Sequence, residues 1–212
     1  MKNKKTIYHF VVDQSGSMAG LENQTIEGFN SQLKTIKKLK EEFPQNEYIV
    51  SVTYFEDEVI DVIRFGKVED IPLLNRDNYK PGSSTSLLDA IGQTIHSIEV
   101  KYEEEINSNK ATVVIVILTD GYENSSRRYT YEQIAKDIDR LNETNKWVFT
   151  FLGAGINAQS ITNRINIRSK NVASFERAEY SAALEKISRS VRRYEENKSV
   201  GLFSDDFLDG DF

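Results

Sequence analysis

Three short polar clusters interrupt otherwise apolar stretches of this chain, and together they supply a coherent set of oxygen donors. Asp13-Gln-Ser15-Gly-Ser17 directly follows the apolar run 7–12, so alternate residues put one carboxylate and two hydroxyls on the same side of a turning loop. Thr85 lies in Gly82-Ser-Ser-Thr-Ser-Leu, just ahead of a helical pattern, and Asp120 lies in Leu118-Thr-Asp-Gly121, at the end of a second apolar run. Two carboxylates and three hydroxyls form an all-oxygen set of low charge. Such a set suits Mg²⁺, which favours six hard ligands and readily keeps waters, and oxygen sites on flexible loops also accept Mn²⁺ or Ca²⁺. With both aspartates bound mainly through water, the ion would keep much of its charge and an open position for an acidic oxygen from outside.

The elements that must position these residues are legible as alternating apolar runs and helical periods, the pattern of an α/β domain with a mostly parallel sheet. Strands are expected near 7–12, 48–55, 59–65, 112–118, 147–152 and 172–175, giving six in all. Between them, apolar residues step by three or four from Ile26 to Phe43, Leu88 to Ile106, Tyr131 to Leu141, and Tyr180 to Tyr194, with a weaker helix near 158–165. Pro44 stops the first of these helices. Only Glu56, Asp57 and Glu58 separate the second strand from the third, too short a gap for a crossover, so that pair must be an antiparallel hairpin at a sheet edge. Each polar cluster then falls at the carboxyl edge of the sheet, where open α/β folds bind ligands.

At these residues the sequence closely resembles the von Willebrand factor A domain, whose metal-ion-dependent adhesion site is an Asp-x-Ser-x-Ser motif, a distant Thr and a distant Asp. Asp13, Ser15 and Ser17 match the first part, Thr85 the second, with Leu87, Asp89 and Ala90 around it as in bacterial members, and Asp120 with Gly121 the third. The order of elements agrees across roughly 6–194. The resemblance implies a Rossmann-like three-layer sandwich: a six-stranded sheet with one antiparallel edge strand and helices on both faces. It also implies Ser15, Ser17 and Thr85 as direct or switchable metal ligands, and Asp13 and Asp120 as direct or water-bridged ones. The sixth position would take an Asp or Glu from a partner protein, in a family that binds rather than catalyses.

Competing patterns are weaker. A phosphatase of the haloacid-dehalogenase type would need a second Asp two residues after Asp13, where this chain has Ser15, a neutral hydroxyl that cannot act as general acid. Gly153-Ala-Gly155-Ile-Asn-Ala158 has dinucleotide-binding spacing, yet only one strand follows it, so a tight strand-end turn is the expectation. A Mg²⁺-dependent hydrolase or nucleotide-binding protein using the same edge is thus the alternative reading. Ser86 and Asp89 have capping-box spacing, and Asp89 is assigned to that cap. Glu123 and Asn124 should project near the metal rim as partner selectors, and Arg127-Arg128 could attract an acidic partner. His9 reads as a satisfied core or sheet-face histidine.

Composition bounds the rest. A formal charge of −6 over 212 residues argues against a nucleic-acid binder. With no Cys and only two His, neither a disulfide scaffold nor a structural zinc site can form. No apolar run approaches the roughly 20 residues of a helical membrane span, and Asp13 ends the leading apolar run without a cleavage site, so a cytoplasmic protein is expected. The Lys- and Asn-rich character points to a bacterial or phage source. Residues 1–197 are expected as one domain, and 198–212 as a flexible acidic-aromatic tail that could dock on a partner or a second copy.

Overall fold

The computed structural model describes residues 4–203 and 205–208. Six strands form one sheet: β1 (Lys5–Asp13), β2 (Glu47–Phe55), β3 (Val59–Lys67), β4 (Ala111–Thr119), β5 (Trp147–Ala154) and β6 (Val172–Phe175). Their order is β3-β2-β1-β4-β5-β6, and every neighbouring pair is parallel except β2 with β3. The hairpin strand β3 pairs antiparallel with β2, as the three-residue gap requires, lies at one edge of the sheet and is the strand with the most exposed residues.

Strand alternation divides the apolar residues into two cores. Tyr8, Phe10 and Val12 of β1 and Val114, Val116 and Leu118 of β4 face α1 (Glu22–Glu42) and the final helix, numbered α5 (Tyr180–Ser199). Ile7 and Val11, with Val113, Ile115 and Ile117, face α2 (Leu87–Asn107), α3 (Tyr131–Glu143) and the short α4 (Ala158–Thr162). A central strand buried on both faces must be apolar at consecutive positions, and 113–118 is so throughout. The arrangement is a three-layer sandwich in which β1 and β4, the two middle strands, end side by side at the carboxyl edge.

His9 is a polar exception inside the second core. Its Nδ1 lies 2.6 Å from Ser51 Oγ, and its Nε2 lies 2.9 Å from Thr53 Oγ1 and 3.1 Å from Thr94 Oγ1. Burial lowers its pKa to about 3, so the ring is neutral.

The tail departs from the sequence expectation. The last helix runs on to Ser199, and Phe207 and Leu208 are buried, with Phe207 in ring contact with Tyr194. Phe207 N donates to Asn171 Oδ1 at 2.8 Å, Asn171 Nδ2 donates to Asp205 O at 2.7 Å, and Arg193 donates to Phe207 O at 2.9 Å. Asp205 also pairs with Lys170 and Arg168. The physical reason is that Phe and Leu regain burial against α5, while polar groups before β6 satisfy the strap's backbone. The part of the expected tail at 204 and 209–212 lies outside the described residues.

Candidate metal centre

Asp13 is the last residue of β1, and its carboxylate is fully buried. Its Oδ1 accepts from Ser15 N at 2.7 Å and its Oδ2 from Thr119 Oγ1 at 2.5 Å, so the side chain is fixed to β4 and to its own loop. Burial pushes its pKa up to about 6 against the opposing effect of these hydrogen bonds. The loop then forms a single 3-10 turn, Gly16–Met18, which leaves Ser17 exposed while Ser15 stays buried. Gly16 N donates to Ser83 O at 3.0 Å and Gly82 N to Gln14 O at 2.6 Å, seating this loop against the one that carries Thr85.

Thr85 is positioned by the loop after β4. Thr85 N donates to Asn124 Oδ1 at 2.9 Å, and Thr85 O accepts from Asn124 N at 3.1 Å. Around that pair, Glu123 Oε2 accepts from Leu88 N at 2.9 Å, capping the start of α2 from another segment. Asp89 accepts from the backbone N–H groups of Arg127, Arg128 and Tyr129, each at 2.9 Å. Three expectations change here. Ser86 makes no side-chain cap bond, Asp89 staples the facing loop instead of capping its own helix, and Glu123 and Asn124 turn inward rather than selecting partners. The cause is shared: the first amides of α2 and the amides of the 121–129 loop need acceptors, and each segment supplies the other's.

These constraints bring the five sequence-derived residues together. Ser15 Oγ lies 3.0 Å from Ser17 Oγ, which donates to Asp120 Oδ1 at 2.5 Å. A methyl group built on Gly121 would lie 3.1 Å from Thr85 Oγ1, 3.4 Å from Ser17 Oγ and 3.6 Å from Asp13 Oδ2. The three oxygens therefore lie within 3.6 Å of one point, which a side chain at 121 would occupy. Asp120 Oδ2 is buried and accepts no hydrogen bond among the described residues. Asp13 and Asp120 are the carboxylates of the cup, and among the described residues no group of three or more His, Cys, Asp or Glu side chains could hold a metal. A cation here would depend on hydroxyls as much as on carboxylates, and hard oxygen donors of that kind fit Mg²⁺, Mn²⁺ or Ca²⁺.

Sequence reasoning missed Arg177, on a 3-10 turn just before α5, whose Nη1 lies 2.9 Å from Asp120 Oδ2. Nothing in local spacing flags it, because 57 residues separate the pair. Thr119, beside Asp120 in the motif, was visible but unassigned; it locks Asp13. The Gly153–Ala158 stretch is a tight turn: Gly155 has φ +68° and donates to Phe175 O at 2.7 Å, and Asn157 caps α4.

Comparison with known proteins agrees with this fold. The family model of the von Willebrand factor type A domain matches residues 9–190. Among solved structures, a pilus adhesin, SpaC, from Lactobacillus rhamnosus GG superposes with a TM-score of 0.61 at 13% identity, over 90% of this chain and 30% of its own. The von Willebrand factor type A protein of Catenulispora acidiphila gives 0.57 at 11% identity, over 88% of this chain and 42% of its own. Manganese-loaded TRAP protein of Plasmodium vivax gives 0.55 at 17% identity, over 89% of this chain and 74% of its own. This chain thus spans less than half the length of the first two. A search of curated proteins found no match. With a family model covering most of its length and a sheet of the same architecture, the chain belongs to the von Willebrand factor type A domain family.

Proposed function

We propose that this domain is a metal-dependent protein-recognition module. Asp13, Ser15, Ser17, Thr85 and Asp120 would hold a divalent cation, Mg²⁺ first, with Mn²⁺ or Ca²⁺ as substitutes. The ion would supply an electrophilic position for an Asp or Glu carboxylate of a partner protein. The observation that carries this reading is the convergence of Thr85, Ser17 and Asp13 oxygens on the space beside Gly121. Family membership supports it, as does the shared fold of a manganese-loaded protein and of a pilus adhesin. Binding rather than turnover is the reading, because Ser15 replaces the second acid that metal-assisted phosphoryl transfer from Asp13 would need.

No helix among the described residues is long and apolar enough to cross a membrane. A cytoplasmic location and a bacterial or phage source are part of this proposal. Self-association through the C-terminal segment would have to use groups other than Phe207 and Leu208, which its own body covers.

Calorimetric titration of Mg²⁺ into the wild type and into Asp13→Ala tests the reading, followed by capture from a lysate with Mg²⁺ or with chelator. Saturable heat lost in the variant, with proteins retained only by metal-loaded wild type, is the expected outcome. Capture indifferent to both chelator and substitution would refute it. Phosphoester turnover lost in Asp13→Ala would favour the hydrolase instead.

A further inference from the structure

Arg177 is the cation that reaches into the cup among the described residues. Its Nη1 lies 2.9 Å from Asp120 Oδ2, while its Nη2 donates to Ser17 O at 2.8 Å and to Ala19 O at 3.2 Å. The aliphatic stem crosses Gly155, where an added methyl would sit 3.4 Å from Arg177 Cγ. Asp120 is the reciprocal half. Ser17 Oγ holds its Oδ1, and the guanidinium is the cation paired with its Oδ2, which accepts no hydrogen bond among the described residues.

Resting on the metal-site reading above, we propose that Arg177 is the built-in counter-cation of this site and sets its metal affinity by competing with the divalent ion for Asp120. A guanidinium is always charged at ordinary pH, so it neutralises Asp120 whenever no metal does. A divalent ion entering the cup meets a like charge within a few ångströms of the same carboxylate, and the ion pair must open as the metal binds. The carbonyls of Ser17 and Ala19 keep the displaced guanidinium at the rim, so the ion pair re-forms when metal leaves. The Arg177 side chain is 44% exposed, which makes the pair a weak competitor that tunes affinity rather than blocking the site.

Mg²⁺ calorimetry on the wild type and on Arg177→Gln tests this, with thermal unfolding of both proteins in chelator and in saturating Mg²⁺. The glutamine variant should bind Mg²⁺ about fivefold more tightly, the scale of one partly exposed ion pair. It should melt below the wild type in chelator and match it in saturating Mg²⁺, a convergence that a merely structural arginine would not produce. Equal or weaker Mg²⁺ binding by the variant, beside normal binding by the wild type, overturns the competition and leaves the metal site standing. Saturable heat in neither protein overturns both.

Discussion

The sheet buries polar groups at both of its ends, and the two ends use them differently. At the amino edge, Lys198 of α5 reaches over the starts of β1 and β4 and donates to Thr6 Oγ1 at 2.6 Å, Thr112 Oγ1 at 2.7 Å and Lys5 O at 3.1 Å. Thr6 in turn donates to Glu195 Oε1 at 2.6 Å, and Tyr8 donates to the same oxygen at 2.8 Å. Burial lowers the Lys198 pKa to about 8, with the Glu195 charge working the other way. One cation and one anion are thus joined through a hydroxyl. At the carboxyl edge, by contrast, the ends of β1 and β4 carry acids and hydroxyls that converge, and a surface arginine reaches the remaining oxygen. Matched charge closes one edge into a tie between helix and sheet. At the other, two carboxylates share one guanidinium, an excess of negative charge that the proposed cation would balance.

Substitution at the amino edge separates the two ends. Glu195→Leu removes the acceptor of Thr6 and Tyr8 and leaves Lys198 without its buried counter-charge, so chemical denaturation should register a loss of about 3 kcal/mol. Mg²⁺ affinity, measured well below the melting temperature, should stay at the wild-type value. A fall in affinity would show that the edges are coupled and break the contrast.

A smaller effect should couple stability to the site. Asp89→Ala frees three backbone amides of the loop that holds Asn124 against Thr85. A loss of about 2 kcal/mol is expected, with Mg²⁺ affinity down roughly tenfold because the ligand-bearing loop loses its support. Unchanged affinity in a destabilised variant would mean that the staple serves folding alone.

Acid sensitivity should trace to His9, which belongs to neither edge. Its pKa is about 3 in the fold against 6.5 unfolded, so the unfolded chain takes up the proton first as pH falls. The contribution of a neutral His9 is complete above 6.5 and drains toward 3, at roughly 1.4 kcal/mol per pH unit. Asp13, raised by burial, acts in the opposite sense below about 6. Comparing the pH slope of stability in the wild type and in His9→Gln isolates the histidine: the variant should lose stability less steeply below pH 6. Parallel slopes would place the proton elsewhere.

Much of this molecule is written locally. Consecutive apolar residues at 113–118, the three-residue hairpin gap and the i, i+3, i+4 stripes dictate the number of strands, the antiparallel edge and the layers, because burial on one or two faces leaves a period in the chain. The candidate oxygen residues were legible for a related reason, since Asp13, Ser15, Ser17 and Asp120 follow the ends of apolar runs and Thr85 precedes a helical stripe. The supports of the site were not. Asp89 fits a helix cap and an inter-loop staple equally well by spacing, and only the facing amides of 127–129 decide between them. Arg177 meets Asp120 through the crossing of distant segments, and the Phe207 strap gains its burial from Tyr194 and Asn171, neither of which leaves a trace in local composition.

Mn²⁺ anomalous scattering from a crystal of the protein shows whether the carboxyl-edge cup is a cation site. A single strong peak is expected among Ser15, Ser17, Thr85 and the two aspartates, beside Gly121, and it should vanish in Asp13→Ala crystals. Mn²⁺ bound elsewhere with that cup empty, or a peak that persists without Asp13, would contradict it.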